Sequence, residues 1–342
     1  MSMLVAAIVV LMVLVIAVLG RMLERRHRLS GVKVAVIGPG AIGSCVADAH
    51  IREGAQVEFW YDSRRSGWPV RSVKVDRREL VQPAGGRVVG SLAECSNDLD
   101  TIFWCVKNYD LDEARATYAP WVAAQTKKPQ VVFVENGIWL GTNAPLKSEG
   151  NPHGSHSELD LVRFPLYGYR SGEIRGVRAC VLFNATRRAF TRDTTMTNTM
   201  KIYLPDTVTE GNRQCFPEGF EFLDGARMQE IQEQKIMINC AINGLAALSG
   251  GKNAFVLGYN IDLAQALVSE AKDFLELSAA APVISRSILE FGRGINSMAT
   301  DYLEGKPTEI ANLNGSVDMP WNRWVAQAVL SRLQVRQAGH RE

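Results

Sequence analysis

The stretch from Gly31 to Asp62, GVKVAVIGPGAIGSCVADAHIREGAQVEFWYD, constrains this chain more than any other. Val32 to Ile37 reads as a β-branched, apolar strand, Gly38, Gly40 and Gly43 follow as G-x-G-x-x-G, Ala41 to Arg52 reads as a helix, and Gln56 to Tyr61 as a second strand. A bare triple-glycine match means little, but strand, glycines, helix and strand in this order form the dinucleotide-binding fingerprint. Gly38 permits the tight turn, Gly40 lets the backbone come close to a pyrophosphate, and Gly43 lets the helix lie against the strand. The helix start then offers unpaired N–H groups and a partial positive charge to phosphates. Gly38, Pro39, Gly40, Ala41, Ile42 and Gly43 are therefore the expected cofactor-binding turn. The bland alternative is an ordinary glycine-rich βα turn.

Two further apolar runs, Thr101 to Val106 (TIFWCV) and Gln130 to Val134 (QVVFV), read as strands buried on both faces. Such strands belong to a parallel sheet. Each ends in polar residues, Lys107 and Asn108 after the first, Glu135 and Asn136 after the second. Ligands of open α/β sheets lie at that carboxyl edge, so Lys107 and Asn136 are candidates to face the nicotinamide half of a dinucleotide. An exposed loop lysine and an ordinary turn asparagine explain each equally well taken singly. Asp62 ends the second strand where an acid usually holds the adenosine ribose, which favours NAD. Arg64 and Arg65 follow directly and could clamp a 2′-phosphate instead. NAD and NADP both stay open, as does a solvated basic face.

A third feature lies in EQKIMINCAINGLAAL, Glu233 to Leu248. Lys235, Asn239 and Asn243 recur every four residues, and at 100° per residue each falls about 40° round from the last, on one narrow stripe of a helix. Asparagine is a poor helix former, so helix stability does not explain the choice. Alone, the stripe reads as the solvated side of an amphipathic helix; a cofactor and partner residues elsewhere would make it the lining of a cleft.

With 342 residues the chain has room for two domains. Thirty-eight basic against thirty-six acidic residues give a net charge of +2, so no nucleic-acid partner is expected. The six cysteines show no C-x-x-C pair and read as reduced thiols. His153 and His156 sit among turn residues with no carboxylate or cysteine set to complete a site, and no metal is expected. Met3 to Leu19 is an apolar run of seventeen residues followed by Arg21, Arg25, Arg26 and Arg28. It is expected to be a single-pass transmembrane anchor with the rest of the chain on the cytoplasmic side.

Five ordered motifs resemble the ketopantoate reductase (2-dehydropantoate 2-reductase) family. They are the glycine turn, WCVKNYD, VENGIW, the K-x-x-x-N-x-x-x-N helix, and SMATDYLEGKPTEIANLNG from Ser297 to Gly315. The resemblance implies a reductase using NADPH on a small 2-oxo acid. By it, Lys235 is the proton donor, and Asn239, Asn243, Asn253 and Ser297 bind substrate. Glu309 lies near the nicotinamide and the reacting centre, with Lys107 and Asn136. The chemistry is coherent: hydride delivered to a 2-oxo carbonyl leaves negative charge on oxygen, which a protonated lysine neutralises and then protonates. Taken alone, Ser297 and Glu309 read as a helix cap and a first-turn acid.

The chain departs from the family pattern in four places: the acid Asp62, near which an arginine is usual, a run between Arg163 and Thr207 in place of more glycine-rich strands, a shortened segment before Pro320, and the apolar N-terminus. The expected architecture is α/β: a transmembrane anchor with basic linker (1–30), a Rossmann-type parallel-sheet domain (31–215) and an all-helical substrate domain (216–342). The expected partners are a 2-oxo acid, the membrane and a second copy of the chain. Two other functions fit the same residues, an NAD-dependent D-2-hydroxyacid dehydrogenase and a non-catalytic, membrane-tethered dinucleotide sensor.

Overall fold

A computed structural model describes residues 3–61, 74–80, 85–107, 110–134, 169–171, 174–182, 185–187, 193–196, 200–254, 256, 260–285 and 294–339. Asp62, Arg64, Asn136, His153 and His156 lie outside them.

After helix α1 (Met3–His27), the first body is built on β1 (Lys33–Ile37), α2 (Ala41–Arg52), β2 (Gln56–Trp60), β3 (Lys74–Val75), β4 (Arg78–Glu79), β5 (Gly86–Val89), β6 (Thr101–Trp104), α3 (Leu111–Ala123) and β7 (Gln130–Phe133). It continues through β8 (Tyr169–Ser171), β9 (Ile174–Arg178), β10 (Cys180–Val181), β11 (Ala185–Arg187), β12 (Asp193–Met196), β13 (Ile202–Pro205), the short α4 (Glu210–Arg213) and β14 (Phe220–Leu223). The main sheet has seven strands in the order β5-β2-β1-β6-β7-β9-β8. All pairs are parallel except β8 with β9. Smaller sheets, β10-β13-β14 and β11-β12-β3-β4, complete this half.

The near-continuous apolar strands bury both faces, as a parallel sheet requires. One face packs Val34, Val36, Phe59 and Phe103 beneath α2, and the other packs Trp60, Trp104 and Phe133 against Tyr118 and Trp121 of α3. Glycine sets the distance between β1 and α2. A Cβ at Gly43 would stand 2.6 Å from Gly38 O and 3.0 Å from Val36 Cγ1, so no larger residue lets the helix lie this close.

The second body is helical: α5 (Gly225–Ser249), α6 (Ile261–Phe274), α7 (Ser297–Leu303) and α8 (Pro320–Gly339). Helix α5 has a stop at each end. Asp224 Oδ1 accepts from Arg227 N at 2.9 Å, and Gly250 takes φ +64° as the left-handed terminator. Its two halves pack against different partners. Met228 and Ile231 sit on Cys180 and Tyr203 of the β10-β13-β14 sheet, whereas Ile236, Met237, Cys240 and Leu245 enter the helical core with Leu267, Met298 and Val325. The backbone between these halves, where Lys235 lies, passes from one body to the other.

Among the described residues no helix is long and apolar enough to cross a membrane. That finding overturns the expected transmembrane anchor, and with it the single-pass location and the membrane partner. The shortfall is one of length: seventeen residues at 1.5 Å each reach about 25 Å, against a hydrocarbon core of about 30 Å. Helix α1 runs on through Arg21, Glu24, Arg25 and Arg26. Its end is fixed to the first body, where Arg28 Nε meets Glu53 Oε2 at 2.6 Å and Leu29 is fully buried. All six cysteines are free, with Cys45, Cys180 and Cys240 buried.

Candidate active site

The glycine turn stands at the carboxyl edge of β1. Gly38 adopts φ +76°, and a Cβ there would meet Cys105 O at 2.9 Å, so the position demands glycine twice over. Gly40 differs: its nearest neighbour for a Cβ is Gly38 O at 3.9 Å, which leaves the space above it open. Gly40 is the N-cap of α2 without any side-chain cap hydrogen bond. The first-turn N–H groups of a helix have no intrahelical acceptor. An open approach, a bare helix start and a glycine without steric demand of its own together fit a bound pyrophosphate.

Lys107 follows β6 at the same edge. Its Nζ lies 2.9 Å from Asp301 Oδ2 on α7 and 3.9 Å from Glu309 Oε2, in the 3-10 turn Glu309–Asn312. This ion pair joins the sheet to the helical body. Burial alone would lower the Lys107 pKa, but Glu309 and Asp301 outweigh it and hold the ammonium above its usual range. Burial raises the Asp301 carboxyl, against the opposing pull of Lys107.

Lys235 shows the opposite balance. Burial, helped by the charge of Arg178, moves its pKa below the usual lysine value, while Cys180 and Glu309 pull it partly back. Glu309 is only 2 % exposed. It stands 3.9 Å from Lys107, and its charge also reaches Lys235. Asn239 and Asn243 continue the Lys235 stripe; the first is half-buried and the second buried, so the stripe is not the wet side of the helix.

Asn296, rather than Ser297, caps α7. Its Oδ1 accepts from Ala299 N at 2.8 Å, and its Nδ2 donates to Asn253 Oδ1 at 2.8 Å. Ser297 occupies the first helical position, half-buried. Asn253 thus uses its carbonyl oxygen to hold the residue that starts α7. Glu309 does open a helical turn, as a first-turn acid would, and also meets Lys107.

Lys107 and Glu309 are therefore brought together with the charge of Glu309 felt at Lys235, Asn239 and Asn243 share the face of Lys235, and Asn253 bonds Asn296, the residue before Ser297. Reading the sequence missed Asp301 and Asn296 as residues that organise the site. Asp301 had a signal, since it lies four residues after Ser297 and so on the same helical face.

A Rossmann-type sheet with a glycine turn at its carboxyl edge, tied at that edge to a helical body through Lys107 and Asp301, fits an NAD(P)-dependent oxidoreductase. Family models agree. The ketopantoate reductase PanE/ApbA model matches residues 34–153, and the model of the ketopantoate reductase PanE/ApbA C terminal matches residues 227–318. The chain belongs to the ketopantoate reductase (PanE/ApbA) family and is an NAD(P)-dependent 2-oxo acid reductase.

Solved structures share its fold. A PanE/ApbA family ketopantoate reductase from Ralstonia eutropha JMP134 is 17 % identical, covers 89 % of this chain and 99 % of its own, and has a TM-score of 0.64. A dimeric ketopantoate reductase from Staphylococcus aureus is 16 % identical over 89 % of this chain and 99 % of its own, with a TM-score of 0.60. D-mandelate dehydrogenase, in a ternary structure with NADH and anilino(oxo)acetate, is 14 % identical over the same shares, with a TM-score of 0.64. A comparison with curated protein sequences gives no match.

Proposed function

We propose that the chain reduces 2-dehydropantoate (ketopantoate) to pantoate in the crevice between the sheet body, which includes β14, and the helical body that begins with α5 at Gly225. The observation that carries this reading is the place of Lys235, on one stripe with Asn239 and Asn243 at the point where α5 passes between the two bodies. A bound reduced nicotinamide supplies the hydride. Lys235 then gives its proton to the oxygen that takes up the charge, and a depressed pKa makes it the better acid. Glu309 keeps enough Lys235 in the charged form, and Lys107 holds Glu309 toward the sheet edge. Asn239, Asn243 and Ser297 bind the carboxylate and hydroxyl without adding charge to an anionic site, and Asn253 steadies Ser297 through Asn296. Gly38 to Gly43 hold the pyrophosphate, with Asn136 near the nicotinamide.

NADPH is the proposed cofactor through the family, with Arg64 near its 2′-phosphate. A homodimer is part of the reading, supported by the dimeric Staphylococcus aureus relative. A second reading, an NADH-dependent D-2-hydroxyacid dehydrogenase, is favoured by the fold shared with D-mandelate dehydrogenase and by Asp62. Turnover of NADH and NADPH on ketopantoate, on branched 2-oxo acids and on an aromatic 2-oxo acid separates the two. Ketopantoate reduction with NADPH supports the first. Absence of ketopantoate turnover with either nucleotide rules it out.

A further inference from the structure

Four strands of the main sheet end on one row. The register pairs Ile37 with Trp104, Trp104 with Phe133 and Phe133 with Arg178, so the last residue before the glycine turn and the last residue of β9 stand level. Three members of the row are buried and apolar, and the fourth is a half-buried cation. Ligands of an open α/β sheet lie just outside this edge. Paired strands lie about 4.8 Å apart, which puts Arg178 about 14 Å from the glycine turn, beyond the strand that leads to Asn136. That is too far to share the pyrophosphate and is on the side of the reacting groups.

The face on which Arg178 stands follows from the alternation along its strand. Val177, Ala179 and Val181 enter the core beneath α2, whereas a Cβ at Gly176 would meet Phe133 Cε2 at 2.8 Å and Cys180 packs on Met228 and Ile231 of α5. Ala179 N donates to Phe133 O at 2.9 Å, so the strand stays extended through this stretch. Arg178 therefore shares the face of Cys180, which looks toward α5. Lys235 is about one helical turn beyond Ile231. The charge of Arg178 lowers the Lys235 pKa and acts on it more strongly than Glu309 does in the other direction. Two cations so placed disfavour each other's charge, and an anion bound against both relieves that repulsion.

A 2-oxo acid carries its carboxylate on the carbon next to the oxo carbon. A group that anchors the carboxylate must therefore stand beside the group that protonates the oxo oxygen, and Arg178 stands beside Lys235. A guanidinium offers a carboxylate two parallel N–H donors. We propose that Arg178 is a specificity-determining residue that holds the substrate carboxylate from the sheet side of the crevice, while Lys235, Asn239 and Asn243 meet the substrate from α5. The inference rests on the reductase reading above and adds to it the residue that selects an acid over neutral 2-oxo compounds.

The test compares kcat/KM of the full chain for ketopantoate and for its neutral primary amide, 4-hydroxy-3,3-dimethyl-2-oxobutanamide. The parent protein should prefer the acid by about 100-fold or more, the scale of a desolvated bidentate charge pair. Arg178→Leu should cut that preference to within about tenfold through a higher KM for the acid, with turnover of the amide within about threefold of the parent and nucleotide affinity by titration within about twofold. Arg178→Lys, which keeps the charge without the fork, should fall between the two. Arg178→Gln gives the same reading should the leucine variant fail to fold. An unchanged preference in Arg178→Leu, an equal loss on acid and amide, or weaker nucleotide binding with the KM for the acid intact overturns the proposal. So does an alkaline limb of kcat/KM that moves to higher pH with no change in preference, since Arg178 would then act on Lys235 alone. A parent that reduces acid and amide alike defeats this inference alone, whereas one that reduces no 2-oxo acid defeats the reductase reading beneath it.

Discussion

Lys107 Nζ lies 2.9 Å from Asp301 Oδ2, an ion pair between residues 194 apart in the chain. It fastens the carboxyl edge of the sheet to the last turn of α7, and Glu309 Oε2 stands 3.9 Å from the same ammonium. One ammonium is thus shared by two carboxylates, of which only Glu309 also acts on Lys235.

Removing one carboxylate should therefore be felt by the other. Asp301→Asn leaves Lys107 to pair fully with Glu309, drawing that acid away from Lys235. The expected loss in kcat/KM is about tenfold, the scale of one charge-assisted hydrogen bond. In a double-mutant cycle with Glu309→Gln the losses should fall short of additivity, because both act through one lysine. Fully additive losses would separate the two carboxylates.

The pH profile reports the same linkage with a definite sign. Glu309 raises the Lys235 pKa against the lowering by burial. If protonated Lys235 is required, kcat/KM falls as pH rises through its pKa. Glu309→Gln should move that alkaline limb to lower pH. A limb that stays in place or moves up would remove Glu309 from this role.

The glycines of the turn should separate binding from folding. At Gly40 an added Cβ meets nothing closer than 3.9 Å, so Gly40→Ala should leave Tm close to the parent value and weaken nucleotide binding by titration. At Gly43 the same Cβ stands 2.6 Å from a backbone oxygen. Gly43→Ala should destabilise by about 2 kcal/mol through overpacking, seen in chemical denaturation.

His50 should give acid sensitivity without touching the site. It is buried between Phe103 and Phe220, its Nδ1 donates to Val46 O at 2.7 Å, and burial lowers its pKa to about 4. A depressed pKa means the unfolded chain binds the proton first, so the contribution is whole above pH 6.5 and is lost as pH falls toward 4. About 3 kcal/mol of stability should vanish over that window. His50→Leu should flatten that part of the stability curve.

Much of this was legible in the sequence, for reasons that differ from residue to residue. Gly38 and Gly43 announced themselves because a backbone conformation and a close helix approach leave no other choice. Helix α2 falls at Ala41–Arg52, as read from the sequence, because its turn fixes its start. The Lys235, Asn239 and Asn243 stripe was visible as a period, although whether it faced water or a cleft depended on packing by β10 and β13, which no local pattern encodes. Asp301 went unassigned because its partner is distant in sequence, and Ser297 yielded the cap to Asn296 because either residue can cap a helix. The apolar run from Met3 misled because composition suggested a membrane span where length fell short.

The most direct measurement is steady-state ketopantoate reduction by Lys235→Ala, set beside nucleotide affinity of the same protein by titration. The account predicts a fall in kcat of about 100-fold or more, the scale of a lost general acid, with nucleotide affinity within about twofold of the parent. Undiminished turnover in Lys235→Ala would contradict it.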